Sequence, residues 1–273
     1  PAWRCRSKTI IWEGAFLNTS FDPASRSTAT PNIRRVPAGR IASWLQAGWR
    51  DLAANPIPSL AYGLLFGIGG DVILLASLGR PHLFTAALSG FFLLAPLLAV
   101  GLYELSRQHA AGTRPTFIDS LQAFRSNSRS IALFGLALGT ITLIWERASE
   151  IGFELLGGAH GNNIKQFISE AVANSDNTVF LILWFVLGGS LALVTYAFSI
   201  VTVPLMVDRD ANFVTAVLAS LNAFAANILT LLIWGATIVV LTLLGFGTLL
   251  FGLVVIMPVL GHASWHAYRD LVE

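Results

Sequence analysis

Six apolar stretches divide the sequence, and each is long enough to cross a membrane as a helix. Such a helix needs about 20 mostly apolar residues, within a range of about 17–25. Six segments meet this length: 58–78, 83–105, 131–147, 179–206, 228–244 and 248–267. Only Gly-Phe-Gly at 245–247 separates the last two, which predicts a tight turn there. The pattern predicts an all-α, polytopic membrane helical bundle with about six transmembrane helices.

Three shorter stretches carry apolar residues at helical spacing just before an apolar run. A helix with one apolar stripe and a polar back lies in the headgroup plane of a bilayer. We therefore expect three interfacial amphipathic helices. Their predicted stripes are Ile41, Leu45, Trp49 and Leu52, then Phe117, Leu121 and Phe124, and finally Phe213, Val217, Leu221 and Phe224.

Similarity between these stretches indicates an internal repeat. The segment from Ala123 aligns with the segment from Ala223, and a weaker third copy begins at Ala47. The aligned pairs include Phe124 with Phe224, Asn127 with Asn227, and Gly135 with Gly235. The returning spans carry Pro96, Pro204 and Pro258.

These copies predict three tandem units at about 41–110, 115–207 and 211–270, each an interfacial helix followed by a transmembrane hairpin. All three enter the membrane from the same side, so the repeats are parallel rather than inverted. An insertion at 148–178 is predicted on the outer side. Residues 1–40 form a basic, poorly ordered tail ahead of an integral membrane domain at 41–273.

The positive charges orient the bundle. With the N-terminus inside, only Arg80, Arg147 and Lys165 of the 17 Lys and Arg residues lie outside. Cytoplasmic loops carry the excess of positive charge in membrane proteins. We therefore expect both termini to be cytoplasmic.

Composition agrees with a membrane location, because 55% of the residues are hydrophobic and only 12% are charged. Soluble domains carry about 25% charged residues. The net charge of +2 gives no reason to expect nucleic acid as a partner. One cysteine, Cys5, allows no intrachain disulfide. The sequence contains no phosphate-binding, zinc-protease or serine-hydrolase motif, so we expect neither catalysis nor a cofactor.

Asp71 is the one acidic residue well inside a predicted span. Carboxylates within a membrane are costly, and many act as proton relays or ion ligands. The alternative is that Asp71 reaches interfacial water or pairs with Arg80.

His262 and His266 are four residues apart and share a helical face, a spacing that can bind a metal. No third ligand is near in sequence, so an interface anchor beside Trp265 is the alternative. The residues predicted to contact lipid headgroups or the interface are Arg50, Arg107, Arg125, Arg129, Trp265 and Arg269. Glu104 and Arg107 are expected to form a surface ion pair.

Two motifs resemble a known family. The first consists of Gly48, Trp49, Asp51, Leu52, Pro56, Ser59, Tyr62 and Gly63, and the second of Pro96, Gly101, Leu102, Tyr103, Glu104, Ser106 and Arg107. Both resemble the bacterial integral membrane proteins grouped as domain of unknown function 2189 (DUF2189), although Ala95 replaces a glycine of the family pattern. The resemblance covers about residues 40 to 270 and implies a multi-pass protein of the bacterial cytoplasmic (inner) membrane.

The resemblance implies little about function, because the family has no established activity. Some members carry the label cytochrome c oxidase, but this sequence lacks the convergent histidines of a haem–copper core. The label therefore implies association with an oxidase rather than catalysis by this chain.

Three functions stay open at this point. The first is a non-catalytic accessory or structural subunit of a larger membrane complex, with a respiratory, terminal oxidase-type or other electron-transfer assembly as its setting. Its partners would be other integral membrane subunits and anionic phospholipids. The second is a small-solute or ion transporter or channel that uses Asp71. The third is an intramembrane enzyme in which Glu104 with His109, or His262 with His266, supplies acid–base chemistry.

Overall fold

Helices form every named element in residues 31–76, 81–155, 175–248 and 251–273, the part of the chain that the computed structural model describes. A single 3₁₀ turn at Ala38–Arg40 precedes them. The α-helices are α1 Ile41–Ala54, α2 Pro56–Ala76, α3 Pro81–Ala110, α4 Phe117–Ser120, α5 Ala123–Ser126, α6 Ser128–Leu155, α7 Ser175–Ser199, α8 Thr202–Arg209, α9 Phe213–Ala226, α10 Ile228–Gly247 and α11 Leu253–Leu271. Residues 1–30 of the predicted tail and most of the predicted insertion at 148–178 lie outside the described residues.

Four stretches are long and apolar enough to cross a membrane: Pro56–Ile73, Ser128–Ala148, Phe185–Arg209 and Ile228–Gly247. They correspond to four of the six predicted spans and confirm an all-helical membrane protein. The predicted span 83–105 lies in α3, and the predicted span 248–267 overlaps α11 from Leu253 onward. Both stay predictions as membrane crossings.

Three asparagines separate a short helix from a long one. Asn55 lies between α1 and α2, Asn127 between α5 and α6, and Asn227 between α9 and α10. Their backbone angles are similar and not helical: φ −139° and ψ 66° at Asn55, φ −125° and ψ 43° at Asn127, and φ −133° and ψ 35° at Asn227. Asparagine tolerates such geometry better than most residues, since its side chain bonds to nearby backbone groups. The chain therefore changes direction in the same way at all three positions.

Each of these side chains also bonds to the backbone of a connecting segment. The Nδ2 of Asn55 donates to the carbonyl of Pro115 at 2.7 Å, just before α4. The Nδ2 of Asn127 donates to the carbonyl of Ala211 at 2.8 Å, just before α9. Each amide thus fixes the segment that leads into the next short helix.

The third asparagine closes this series onto the start of the chain. Asn227 Nδ2 donates to the carbonyl of Arg34 at 2.9 Å, and its Oδ1 accepts from the backbone N–H of Val36 at 2.7 Å. The hydroxyl of Thr230 donates to the carbonyl of Val36 at 2.7 Å. The segment that leads into α1 is therefore held by residues of the α9–α10 junction.

The contacts of the short helices repeat in a similar way. The short helix α1 packs on α11, α4 and α5 pack on α3, and α9 packs on α7 and α8. The helices α3, α8 and α11 contact one another. Buried apolar side chains fill this centre, including Val100, Val201, Leu205, Leu260 and Ala263.

Burial also follows the same pattern along the chain. From 121 to 137 and from 221 to 237, every pair of residues 100 positions apart falls in the same burial class. Seven residues after each junction asparagine comes a buried aromatic, and the eighth is glycine. The aromatics are Tyr62, Phe134 and Trp234, and the glycines are Gly63, Gly135 and Gly235.

The segment that begins the described residues lies beside residues 271–273. Arg34 N donates to the carbonyl of Leu271 at 2.9 Å, and Glu273 N donates to the carbonyl of Asn32 at 3.1 Å. The Glu273 carboxylate accepts from the guanidinium of Arg34 at 2.8 Å. Residues 31–40, which the sequence assigns to a tail, are thus attached to the C-terminus over at least part of their length.

The predicted span at 179–206 corresponds to the candidate span Phe185–Arg209, but its helix is interrupted after Ser199. Pro204 lies in the first turn of α8, where a missing N–H costs least. The predicted turn at 245–247 was wrong, because these residues belong to α10 and the turn follows at Thr248.

The apolar stripe of α1 was also predicted incorrectly at one position. Trp49 is 56% exposed, while Trp44 and Gly48 are buried. Contact with α11 selects a face with a small residue at the closest point, where an added Cβ at Gly48 would overlap the carbonyl oxygen of Val259.

Replacing Gly63 with alanine should destabilise the bundle. An added Cβ would overlap the backbone carbonyl of Val254 in α11, so the two helices would have to separate. Overpacking of this kind costs about 1–3 kcal/mol. Thermal unfolding in detergent should show a lower midpoint for Gly63→Ala. Gly139→Ala, where no atom lies within 4 Å, is the control and should not lower it.

Replacing Asn227 with alanine should release the segment before α1, because the variant loses the bonds to Arg34 and Val36. Hydrogen exchange at the Val36 amide should become faster in Asn227→Ala. Asn222→Ala, which changes an exposed asparagine of α9, should leave that rate unaltered. Equal protection in both variants would show that the amide does not hold the segment.

Candidate functional site

Four helices bring polar side chains together at one corner of the bundle. Asp51 comes from α1, Ser59 from α2, Ser106 from α3 and His262 from α11. All four are less than a tenth exposed. We call these four residues the polar cluster.

Hydrogen bonds join the polar cluster into a chain. Ser106 Oγ donates to Asp51 Oδ2 at 2.6 Å and lies 2.7 Å from His262 Nδ1. His262 Nε2 lies 2.9 Å from Ser59 Oγ, which is 2.8 Å from the carbonyl of Asn55. Ser106 has one hydroxyl proton. When this proton goes to Asp51, His262 Nδ1 carries a hydrogen and donates it to Ser106.

Two further histidines connect the cluster with the surface. His266 Nε2 lies 3.0 Å from Asp51 Oδ2, and its side chain is 31% exposed. His109 Nε2 lies 3.9 Å from Asp51 Oδ1, and its side chain is 40% exposed. Asp51 is therefore the point at which the buried hydrogen bonds meet groups that reach solvent.

The charge of Asp51 depends on these neighbours. Burial raises the pKa of Asp51, but the hydrogen bonds with His266 and Ser106, aided by the charges of His266 and His262, outweigh burial and hold the pKa below 3.8. The carboxylate is therefore ionised at neutral pH and accepts hydrogen bonds.

Glycines bring the four helices close enough for these bonds. An added Cβ at Gly101 would overlap the ring of Tyr62, and one at Gly261 would overlap the side chain of Leu102. The hydroxyl of Tyr62 lies 2.8 Å from Ser120 Oγ. The motif residues thus form one packed corner among α1, α2, α3 and α11.

The structure brings both predicted histidines to this corner, although not as a metal site. His262 binds the serines, and His266 binds Asp51. Within the described residues, no group of three or more His, Cys, Asp or Glu side chains is placed to hold a metal ion.

Asp71 lies 12 residues after Ser59 on the same helix and faces outward. It is exposed on α2, next to the exposed side chains of Ile68 and Val72. Among the described residues, none forms a hydrogen bond or an ion pair with it. The predicted partner Arg80 lies outside the described residues.

The predicted interface residues differ in their surroundings. Arg50, Arg125 and Arg129 are exposed. The guanidinium of Arg269 donates to Asp208 at 3.0 Å. The prediction that Trp265 is an interface anchor was wrong, because its side chain is only 2% exposed and packs beside Tyr268.

The ion pair of Glu104 and Arg107 is present, but its carboxylate is not at the surface. Glu104 is 4% exposed. It accepts from Arg107 at 2.6 Å and 2.8 Å, and from Gln108 at 2.6 Å. These bonds leave Glu104 engaged with its own helix rather than paired with His109.

Sequence reasoning did not identify Asp51, Ser59 and Ser106 as members of a site. A signal was present, since these polar residues belong to two motifs in otherwise apolar segments. What the sequence does not give is the packing of α11 against α1 and α2, across about 200 residues of chain.

Apolar helices of membrane-crossing length, packed around a filled centre, define a polytopic α-helical membrane protein. The model of the family DUF2189, described as a predicted integral membrane protein, matches residues 83–208. The chain therefore carries a DUF2189 region, which confirms the resemblance seen in its motifs. The second motif lies within the matched residues, and the first lies before them. No curated protein and no solved structure matches the chain.

Replacing Asp51 with asparagine should destabilise the corner. The amide oxygen can take the place of Oδ2, which accepts from both Ser106 and His266, but it carries no charge. Hydrogen bonds to a charged group are worth about 1.5–3 kcal/mol, against about 0.5–1.5 kcal/mol for neutral ones. Thermal unfolding in detergent should show this loss for Asp51→Asn. Asp210→Asn is the control, since Asp210 is exposed and its φ of 52° suits asparagine.

The effect of Asp51→Asn should also depend on pH. Because folding lowers the pKa of Asp51, its contribution is present above the ordinary value of 3.8 and is lost as pH falls through the lower folded value. The difference in midpoint between wild type and Asp51→Asn should therefore shrink in acid. A difference that grows there would contradict the ionised state of Asp51.

Proposed function

We propose that this protein is a non-catalytic accessory subunit of a larger membrane complex, and that it docks through the outward face of α2. The observation that carries the proposal is the position of Asp71. Its carboxylate lies on an exposed apolar face, within the candidate span Pro56–Ile73.

An isolated carboxylate on this face would be costly in lipid. Asp71 is 15 residues after Pro56, about 22 Å along the helix axis at 1.5 Å per residue. A charged residue costs about 2.5–3.5 kcal/mol on insertion scales at the centre of a bilayer. Asp71 lies two residues from the end of the candidate span, so its cost is smaller than that. A partner that supplied a hydrogen-bond donor or a positive charge would remove most of that cost.

The face around Asp71 fits a helix of another subunit. The exposed side chains beside it are Leu64, Ile68, Val72 and Leu75, which are 49%, 57%, 59% and 66% exposed. Their spacing places them on one side of α2 with Asp71 among them. The partner proposed here is a transmembrane helix that carries Arg, Lys or another donor opposite Asp71.

Transport through this chain alone has less support. The centre between α3, α8 and α11 is filled by buried apolar side chains. Asp71 faces away from that centre, so a path that used it would need a wall from a second chain.

The architecture proposed with this function is a ring of three similar units. The three junction asparagines, their shared burial pattern and the order of helix contacts support it. The asymmetry of positive charge supports two termini on the cytoplasmic side of a bacterial inner membrane. Exposed Arg50, Arg125 and Arg129 would then lie near anionic phospholipids at that surface.

A terminal oxidase or another electron-transfer assembly is the first partner to test, because of the label that some DUF2189 proteins carry. Native membranes are solubilised in mild detergent and separated on a blue-native gel, and each band is examined by mass spectrometry. The chain should run with other integral subunits at a mass well above its own 29.4 kDa. Migration at monomer mass would contradict docking, and a complex without a redox subunit would reject only the respiratory setting.

Replacing Asp71 with leucine or asparagine should release the chain from its complex. Both variants should move toward monomer mass on the gel, while their thermal unfolding stays at or above that of wild type. Thr140→Val is the matched control, because it removes an exposed polar group from the candidate span of α6. Retention of Asp71→Leu in the complex would show that the carboxylate does not contact the partner.

A further inference from the structure

The three helix junctions make corresponding contacts with neighbouring helices. The contact of α1 and α2 with α11 is the polar one, and it contains the polar cluster. Counted from the junction asparagines, Asp51 corresponds to Ala123 and Ala223, and Ser59 corresponds to Ile131 and Leu231. Counted from Pro258 and Pro96, His262 corresponds to Val100. Val100, Ala123 and Ile131 are all buried in the main apolar core. Apolar residues thus suffice for this kind of contact, and stability alone does not require Asp51, Ser59 and His262.

The hydrogen bonds of the polar cluster suit two protonation states of His262. In the neutral state, His262 Nδ1–H donates to Ser106, and Nε2 accepts from the Ser59 hydroxyl. In the charged state, Nε2–H donates to Ser59, and the Ser59 hydroxyl turns to the carbonyl of Asn55. Ser59 Oγ is 2.9 Å from His262 Nε2 and 2.8 Å from that carbonyl, so rotation of one hydroxyl is sufficient.

We propose that His262 is a proton-binding site, linked to the surface through Ser106, Asp51 and His266. The charged state would be balanced by Asp51, which shares Ser106 with it. The titratable groups that face His262 are Asp51 of α1, His109 of α3 and His266 of α11, and α2 contributes the uncharged Ser59. His109 and His266 oppose a charge on His262 when they are themselves protonated.

Proton release can follow the observed contacts. The proton on His262 Nδ1 moves to Ser106 Oγ, while the hydroxyl proton of Ser106 moves to Asp51 Oδ2. Asp51 then passes that proton to His266 Nε2, which is partly exposed. His262 is left in its other neutral form, with its hydrogen on Nε2. In this form the Ser106 hydroxyl turns to Nδ1, Nε2–H still donates to Ser59, and the ionised Asp51 accepts from the charged His266. The reverse sequence delivers a proton from the surface to His262.

Nitrogen NMR of the full chain in nanodiscs tests this proposal, with ¹⁵N-labelled histidine as the probe. The ring nitrogen shifts distinguish the two neutral forms from the charged ring. His262→Gln identifies the signal of His262, and His109→Gln with His266→Gln assign it by elimination if His262→Gln does not fold. Wild type should change from a neutral to a charged His262 as the pH is lowered. A signal that stays neutral over the whole pH range in which the chain is folded would overturn the proposal.

Ser59→Ala separates a proton-binding site from a histidine that only fills space. The charged ring loses the acceptor for Nε2–H and suffers more than the neutral ring, so the titration midpoint of His262 should fall by about one pH unit. Ser264→Ala is the matched control, because it removes a buried serine from α11, two residues from His262. An unchanged midpoint in Ser59→Ala, or an equal shift in Ser264→Ala, would contradict the role of Ser59.

Discussion

Lipid offers no hydrogen bonds to a polypeptide backbone, so each place where this chain turns into the bilayer must provide its own. The amides of Asn55, Asn127 and Asn227 meet that requirement at three places. Each accompanies an interruption between a short and a long helix and binds carbonyl groups of a connecting segment. A side chain that only permitted the bend would leave those carbonyls unpaired, and a longer polar loop would put more backbone into lipid. An asparagine adds no loop residues, and its side chain bonds each junction to a different connecting segment.

Close helix packing follows from these fixed junctions. Glycine at Gly48, Gly63 and Gly101 removes the side chain where two helices approach most closely, and buried aromatics occupy the space one turn away. Packing between small residues is how helices associate in lipid, since the hydrophobic effect cannot drive that association. The same close approach of the helices brings the side chains of the polar cluster within hydrogen-bond distance. Removing one partner of such a buried network is costly, whereas an apolar replacement of the whole network is often tolerated. The polar cluster occurs at one of three corresponding helix contacts, so stability alone does not account for it.

The sequence predicted the elements well and their assembly less well. Apolar length located four candidate spans, and the repeated Phe, Asn and Gly of the segments at Ala123 and Ala223 pointed to the junctions. The sequence did not show which face of α1 meets α11, because a glycine and an aspartate on that face look polar or neutral beside Trp49. For the same reason Trp265, an aromatic next to basic residues, resembled an interface anchor although it is buried. His262 and His266 were recognised as neighbours, but the serines and the aspartate that bind them come from three other helices.

The attachment of residues 34–36 to Asn227 constrains biogenesis. Asn227 is synthesised almost 200 residues after the segment that it holds, and Leu271 and Glu273, which also bind that segment, are synthesised later still. During insertion, the segment before α1 therefore lacks these backbone partners until the later helices have been made. In a nascent chain that stops before α9, the backbone groups of this segment would have no hydrogen-bond partners. Quality-control proteases would recognise incomplete chains by this unpaired backbone.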